Sequence, residues 1–357
     1  MAHLQTIIFR ADAGPDIGTG HVMRCLALAQ AWLERGGRAV FAMSRRFLEL
    51  ESRLTAQGVD FIYLAGESGS QAEALETACL AQRSGAAWIV IDGYNFGAEY
   101  QKQIKDQGGR VLFIDDYGHA AYYYADLVLN QNLHARGELY QNRTPDTRLL
   151  LGCDYILLRH EFQTWRGWPR DIPAQARNLL ITMGGSDPEN LTQQVISTLG
   201  ELGLIDWDCI AVAGPTNPHY AQLVSAVQAS SLSVRLERNV TDMSTLMAWA
   251  DVAVSAGGTV CWEMAFMGLP NLVMITADNQ VEVAQWLHQQ GVAVNLGWSR
   301  DISSLFLGDQ LTRLSSDAGR RTQMSRQGRR IVDGLGPARV IAELNKVNHH
   351  LDLTDEE

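Results

Sequence analysis

The most constraining feature of this chain is an alternation of short apolar runs and amphipathic stretches, sustained through two long series. Thr6–Ala11 reads as a strand, and residues 21–35 read as a helix with Val22, Leu26, Ala29 and Leu33 on one face. Further strands are expected at 39–43, 88–91, 111–114 and 127–129, with helical stretches such as 73–83 and 98–107 in the gaps. Such β-α alternation predicts a parallel sheet with helices on both faces. The pattern breaks at 164–174, where two prolines, a glycine and no period read as an interdomain linker. A second series starts at 179–183 and continues through 210–213, 234–236, 252–255, 272–275 and 292–295. The expected fold is α/β, with two doubly wound, Rossmann-like domains over 1–163 and 175–335 and a C-terminal helix with tail over 336–357. Ligands of such sheets bind at the carboxyl ends of the strands, so two facing sheets would take theirs in the cleft they share.

Composition narrows the function. With 357 residues, 46% of them hydrophobic, the chain can bury two cores. The net charge of −11 argues against a non-specific nucleic-acid binder or a protein held on anionic membranes, since both need a basic surface. A small anionic substrate stays compatible, because a few local donors outweigh net charge. The five cysteines, at 25, 79, 153, 209 and 261, are widely spaced with no C-x-x-C, which fits reduced thiols rather than a disulfide framework or structural zinc. The start Met-Ala-His-Leu-Gln-Thr-Ile-Ile does not read as a signal peptide, and no run approaches the ~18 apolar residues of a membrane span. A soluble cytoplasmic protein is expected. The eight basic residues between 313 and 346 read as a solvated helical face, with a binding patch as the alternative, and the last six residues as a frayed acidic tail.

Four stretches could carry chemistry. In Ala11-Asp12-Ala13-Gly14-Pro15-Asp16-Ile17-Gly18-Thr19-Gly20-His21, Gly18 and Gly20 let the backbone approach a ligand, and the helix that follows aims N–H groups at it. His21 stands at that helix start, where the positive dipole end favours a neutral imidazole able to accept a proton; a capping histidine in a tight turn explains the same residues equally well. Met183-Gly184-Gly185-Ser186-Asp187-Pro188 repeats the strand–glycine–helix pattern, with Pro188 suited to the first helical position, and reads as a βα turn or a ligand contact. Gly257-Gly258-Thr259 at a further helix start is a plausible diphosphate cradle, and Glu263, one turn on, can accept hydrogen bonds from ribose hydroxyls. Asp278-Asn279-Gln280 opens a helix, and capping by Asn279 accounts for it. Neither a dinucleotide fingerprint nor a Walker loop is present. The adjacent Asp115-Asp116 pair would point to opposite sides of a strand, so a shared metal is not expected.

Phe9-Arg10-Ala11-Asp12 with Ile17-Gly18-Thr19-Gly20-His21 resembles the opening of the PseG-type UDP-2,4-diacetamido-2,4,6-trideoxy-β-L-altropyranose hydrolases of pseudaminic acid biosynthesis. The resemblance continues collinearly through Ile91-Asp92-Gly93-Tyr94, through Asp154-Tyr155-Ile156-Leu157-Leu158-Arg159-His160-Glu161-Phe162, and through Met183-Gly184-Gly185-Ser186-Asp187 and Asn279-Gln280. It implies a two-domain GT-B fold like that of the MurG-like glycosyltransferases. It also implies His21 as catalytic base, Tyr94 and Arg159 as substrate-binding residues, Glu263 at the nucleotide, Asn279 near the phosphates, and a uracil contact near Val240 and Met243. Gly257-Gly258-Thr259 looks more like the transferases than the Ser-rich loop of the short hydrolases, and those lack the basic helical segment after 297.

The expected activity is hydrolysis of a UDP-sugar by water attack at the anomeric carbon with inversion, without metal or cofactor. The small-molecule UDP-sugar is the expected partner, with neither nucleic acid nor membrane. The rival readings are a GT-B glycosyltransferase with the same donor and a non-catalytic nucleotide-sugar-binding subunit.

Overall fold

The structure, a computed structural model, describes residues 5–14, 17–203 and 206–352. In the first domain, β1 (Thr6–Ala11), β2 (Arg38–Met43), β3 (Asp60–Tyr63), β4 (Ala86–Asp92), β5 (Val111–Ile114), β6 (Leu127–Asn130) and β7 (Arg148–Leu151) form one sheet. Their order is β3-β2-β1-β4-β5-β6-β7, and every pairing is parallel. Helices α1 (Gly20–Leu33), α2 (Leu48–Ala56), α3 (Gln71–Arg83) and α4 (Ala98–Asp106) make the crossovers, and the short α5 (His160–Gln163) follows β7. Ile7, Ile8 and Phe9 on successive positions of β1 are all fully buried, as a strand covered by helices on both faces requires. Val22, Leu26 and Ala29 form the buried stripe of α1. Two strands were not legible in the apolar pattern, β3 and β7. Both are four-residue edge strands with partly exposed side chains, so they lack the continuous apolar run of a central strand.

The second domain repeats the design. β8 (Asn178–Thr182), β9 (Asp208–Ala213), β10 (Ser233–Arg238), β11 (Val252–Ala256), β12 (Asn271–Ile275) and β13 (Ala293–Trp298) pair in parallel in the order β10-β9-β8-β11-β12-β13. Its helices are α6 (Leu191–Glu201), α7 (Tyr220–Ala229), α8 (Met243–Trp249), α9 (Val260–Met267), α10 (Val281–Gln289), α11 (Ser304–Ser316) and α12 (Ala318–Ile331). In each sheet the winding reverses once, between β1 and β4 and between β8 and β11. At such a reversal the crossovers depart to opposite sides and leave the carboxyl ends of two adjacent strands open, the usual place for a ligand in an open α/β sheet.

The chain divides into two compact units. One contains Met1–Ala13, His21–His160 and Gly334–Glu357, and the other contains Gly14–Gly20 and Glu161–Asp333. The last helix, α13 (Gly336–Asp352), set apart in the sequence as its own segment, packs into the first domain through Val340, Ile341 and Leu344. Their spacing puts the three on one helical face. Of the acidic tail read over 352–357, Asp352 ends α13 and residues 353–357 lie outside the described residues.

The segment 164–174, expected as a linker, is fastened to the second domain. Arg170 donates to the carbonyls of Met247, Ala250 and Met267 at 2.5, 2.6 and 2.8 Å, so it satisfies chain ends of α8 and α9. Trp165 Nε1 donates to Ser244 Oγ at 2.9 Å. Arg321 is the exception to the reading of the basic segment as a solvated face, in which Arg313, Arg326, Arg330 and Lys346 are exposed. It is fully buried and donates to the carbonyls of Pro173, Ala174 and Ser315 at 2.8, 3.0 and 3.0 Å.

Candidate functional site

In the first domain the reversal gathers a charged cluster. Asp92 ends β4, and the register sets it beside Ala11 of β1 and Ile114 of β5. Asp115 and Asp116 follow β5 directly. His21 lies in the first turn of α1, and Arg24 is one turn further on the same face. His21 Nδ1 is 2.7 Å from Asp92 Oδ1. A carboxylate in that place accepts a hydrogen bond from Nδ1–H, which fixes the tautomer and leaves the Nε2 lone pair to accept a proton. Arg24 donates to Asp92 through Nε at 2.5 Å and Nη2 at 2.7 Å, and to Asp116 through Nη1 at 2.7 Å and Nη2 at 3.0 Å. Asp116 also accepts from the Tyr94 hydroxyl at 2.8 Å and from Asn132 Nδ2 at 2.9 Å. The Tyr94 ring meets the His21 ring edge-on, with centroids 4.8 Å apart.

These groups are largely out of water. The side chains of Asp92, Arg24, His21 and Asp116 are 0, 4, 12 and 14% exposed. Burial alone would push both carboxyls up. The Arg24 guanidinium overcomes it, the hydrogen bond from His21 adds to this at Asp92, and both carboxyls are held below their ordinary value. Buried among two carboxylates, Arg24 itself is held firmly charged.

The Asp115-Asp116 pair diverges. Asp115 Oδ1 accepts from the backbone N–H groups of Asp116, Tyr117 and Gly118 at 2.6, 3.0 and 3.1 Å, and Tyr123 donates its hydroxyl to Oδ2. One carboxylate thus builds the loop after β5 while the other joins Arg24. Among the described residues no group of three His, Cys, Asp or Glu side chains is arranged to hold a metal ion.

In the second domain, glycine loops follow β8 and β11. Gly184 at φ +82°, Asp187 at +45° and Asn190 at +55° give the first loop its left-handed turns. Pro188 does not open the helix; α6 starts at Leu191, and the Asp187 carboxylate caps it by accepting from Leu191 N at 2.8 Å and Thr192 N at 3.0 Å. Here the glycines serve the close passage of chain. A Cβ on Gly214 would stand 2.3 Å from Gly185 O, and one on Gly185 would stand 2.8 Å from Thr19 Oγ1. The second loop is more open. A Cβ on Gly258 would meet nothing within 4 Å, and Thr259 stands in the cap position before α9 without a side-chain capping bond. Glu263 lies half-buried one turn along α9.

Asn279 does not cap α10. It is exposed within a short 3₁₀ turn, Asp278–Gln280, and Gln280 occupies the cap position. The neighbouring Gln280 works instead as a staple: its Oε1 accepts from Gly257 N at 3.2 Å, Thr276 N at 3.0 Å and Thr276 Oγ1 at 3.1 Å, tying the glycine loop to the loop after β12. Met243 is buried at the start of α8, which Asp242 caps by accepting from Thr245 N at 3.1 Å. Val240 follows Asn239, whose φ of +53° turns the chain after β10.

Of the residues singled out from sequence, His21 and Tyr94 come together in the first domain, whereas Gly18 and Gly20 belong to the segment grouped with the second unit. Gly185, Gly258, Thr259, Asn279, Val240 and Met243 follow the carboxyl ends of second-domain strands. Arg159 is buried, 5% exposed, immediately before α5. Sequence reasoning missed Arg24, Asp92, Asp116 and Gln280 as parts of a site. A signal existed for Arg24, a cation three residues after His21 on a helix face otherwise apolar. Another existed for Asp92, a carboxylate closing a wholly apolar strand, which needs a buried partner.

Comparison with known proteins agrees with this architecture. Residues 178–334 match the glycosyltransferase family 28 C-terminal domain. A spore coat polysaccharide biosynthesis protein, SpsG, of Bacillus subtilis is 26% identical over 339 residues, covering 94% of this chain and 96% of its own. The UDP-2,4-diacetamido-2,4,6-trideoxy-β-L-altropyranose hydrolase of Campylobacter jejuni is 25% identical over 290 residues, covering 81% of this chain and 98% of its own. The crystal structure of Acinetobacter baumannii MurG superposes with a TM-score of 0.65 at 14% identity, over 96% of this chain and 99% of that one. The fold is GT-B: two parallel-sheet α/β domains. Among the described residues no helix is long and apolar enough to cross a membrane.

Proposed function

We propose that this chain hydrolyses a UDP-linked 2,4-diacetamido-2,4,6-trideoxy sugar to UDP and the free sugar. The observation that carries the reading is the His21–Asp92 pair, 2.7 Å apart and braced by Arg24, at the reversal point of the first sheet. It is a general base with its tautomer set by a buried carboxylate. The name of the Campylobacter jejuni relative supports the substrate class.

In this reading the second domain holds UDP. The diphosphate lies at the Gly258-Thr259 helix start with Asn279 nearby, the ribose at Glu263, and the uracil against the backbone near Val240 and Met243. Tyr94 and Arg159 serve the sugar side. His21 Nε2 takes a proton from water as the water oxygen bonds to the anomeric carbon. The bond from that carbon to the diphosphate oxygen breaks, and the electron pair leaves with UDP. N–H groups at the helix start stabilise the charge growing on the diphosphate. The attack comes from the face opposite the leaving group, so configuration inverts.

Glu263→Ala is expected to weaken UDP binding by about 1.5–3 kcal/mol, the range for hydrogen bonds to a charged group. Calorimetric titration with UDP checks it, and an unchanged affinity would make Glu263 an ordinary surface residue.

A second reading, a GT-B glycosyltransferase, is favoured by the family 28 match over 178–334 and by the Gly-Gly-Thr loop. The relative named for spore coat polysaccharide biosynthesis is compatible with either. Release of UDP from the UDP-sugar with no acceptor present separates the two.

A further inference from the structure

Beside His21 the aromatic surface continues from Tyr94, which the proposed function places on the sugar side, onto Tyr117, to which it gives no part. Tyr94 and Tyr117 are 38 and 45% exposed, and their ring centroids are 5.2 Å apart at a 48° tilt. His119 backs both rings, 5.7 Å from Tyr94 and 5.8 Å from Tyr117. Exposed tyrosines are ordinary; a pair held this firmly is not. Tyr94 is fixed through its hydroxyl to Asp116 at 2.8 Å and through its ring to His21. Tyr117 is fixed through its backbone, because Asp115 gathers the N–H groups of 116, 117 and 118. His119 closes that turn, with Nδ1 3.1 Å from Asp115 Oδ1 and Nε2 3.3 Å from Phe96 O. Gly118, at φ +79°, is pressed against the chain, since a Cβ there would lie 2.9 Å from Leu139 O. The turn therefore holds Tyr117 in place at little ordering cost when a ligand arrives.

The geometry points to Tyr117 as a specificity-determining contact for the sugar, an inference that rests on the UDP-sugar reading above. Tyrosine rings combine a broad apolar face with a polar edge, which suits a deoxy sugar bearing acetamido groups. The C–H face of the pyranose, or an acetamido methyl, packs on the Tyr117 ring while the anomeric carbon stays within reach of His21. The contact is to the sugar and not to the nucleotide.

The test measures binding in a His21→Ala background, so that turnover does not consume the ligand. UDP-2,4-diacetamido-2,4,6-trideoxy-β-L-altropyranose and UDP alone are titrated separately. Adding Tyr117→Ala is expected to raise the dissociation constant of the UDP-sugar about three- to tenfold and leave that of UDP unchanged, while Tyr117→Phe retains the affinity of the parent. An unchanged UDP-sugar constant in the alanine variant, an equal weakening of UDP, a phenylalanine variant as weak as alanine, or no UDP-sugar binding in the parent would each overturn the proposal. Failure of the hydrolase reading appears elsewhere, as no UDP release by the unaltered protein, and leaves this binding ratio readable.

Discussion

Replacing His21 with alanine is expected to lower turnover of the UDP-sugar by about 10²–10⁴-fold, the usual loss when a general base is removed. UDP should bind the variant as before, because the nucleotide is assigned to the other domain. The ring meets Asp92 at 2.7 Å and Arg24 Nη2 at 3.3 Å, both through Nδ1, and makes an edge contact with Tyr94, and its side chain is 12% exposed. Its removal should therefore leave folding largely intact, since Asp92 keeps both bonds from Arg24. Steady-state assay of UDP release, beside a UDP titration of the same preparation, checks both halves. Near-normal turnover in a folded variant would remove His21 from the mechanism.

Arg24→Met is expected to have the largest effect on stability, about 3–5 kcal/mol, because it strands two buried carboxylates without their cation. Denaturant unfolding of the domain measures it. Adding Asp92→Asn and Asp116→Asn should recover part of the loss by removing the uncompensated charges. The pH dependence follows in sign. In the unaltered protein both carboxyls are held low, so their stabilising contribution is full above the ordinary carboxylate value and is lost as pH falls through their lowered folded values. Without Arg24, burial pushes the same carboxyls up, they take up protons in mild acid, and the deficit of the variant narrows as pH falls from neutral. A deficit that stays constant from neutral to mild acid would mean that packing, not charge, is the main role of Arg24.

The strand–helix alternation was enough to read both doubly wound sheets, because strands such as β1 are buried on both faces and show as unbroken apolar runs. Edge strands β3 and β7 carry no such run. His21 was legible because a glycine loop and a helix start announce it locally. Its partners were not. Asp92 lies 71 residues away in sequence, and Arg24 meets Asp116 across 92 residues. Only the sheet order, with β1 beside β4 and β4 beside β5, brings those strand ends together. Local reasoning also misjudged the Asn279-Gln280 pair. It looked to Asn279 for a cap, whereas the adjacent glutamine ties two loops through contacts that no sequence window contains.

The central claim is attack of water on the anomeric carbon, with UDP as leaving group and His21 as base. Acceptor-free turnover in oxygen-18 water, followed by mass spectrometry of both products, tests it most directly. The account predicts label in the anomeric hydroxyl of the sugar and none in UDP, at a rate unaffected by chelator. Label in a phosphate oxygen, or activity lost with chelator and restored by a divalent ion, would contradict it.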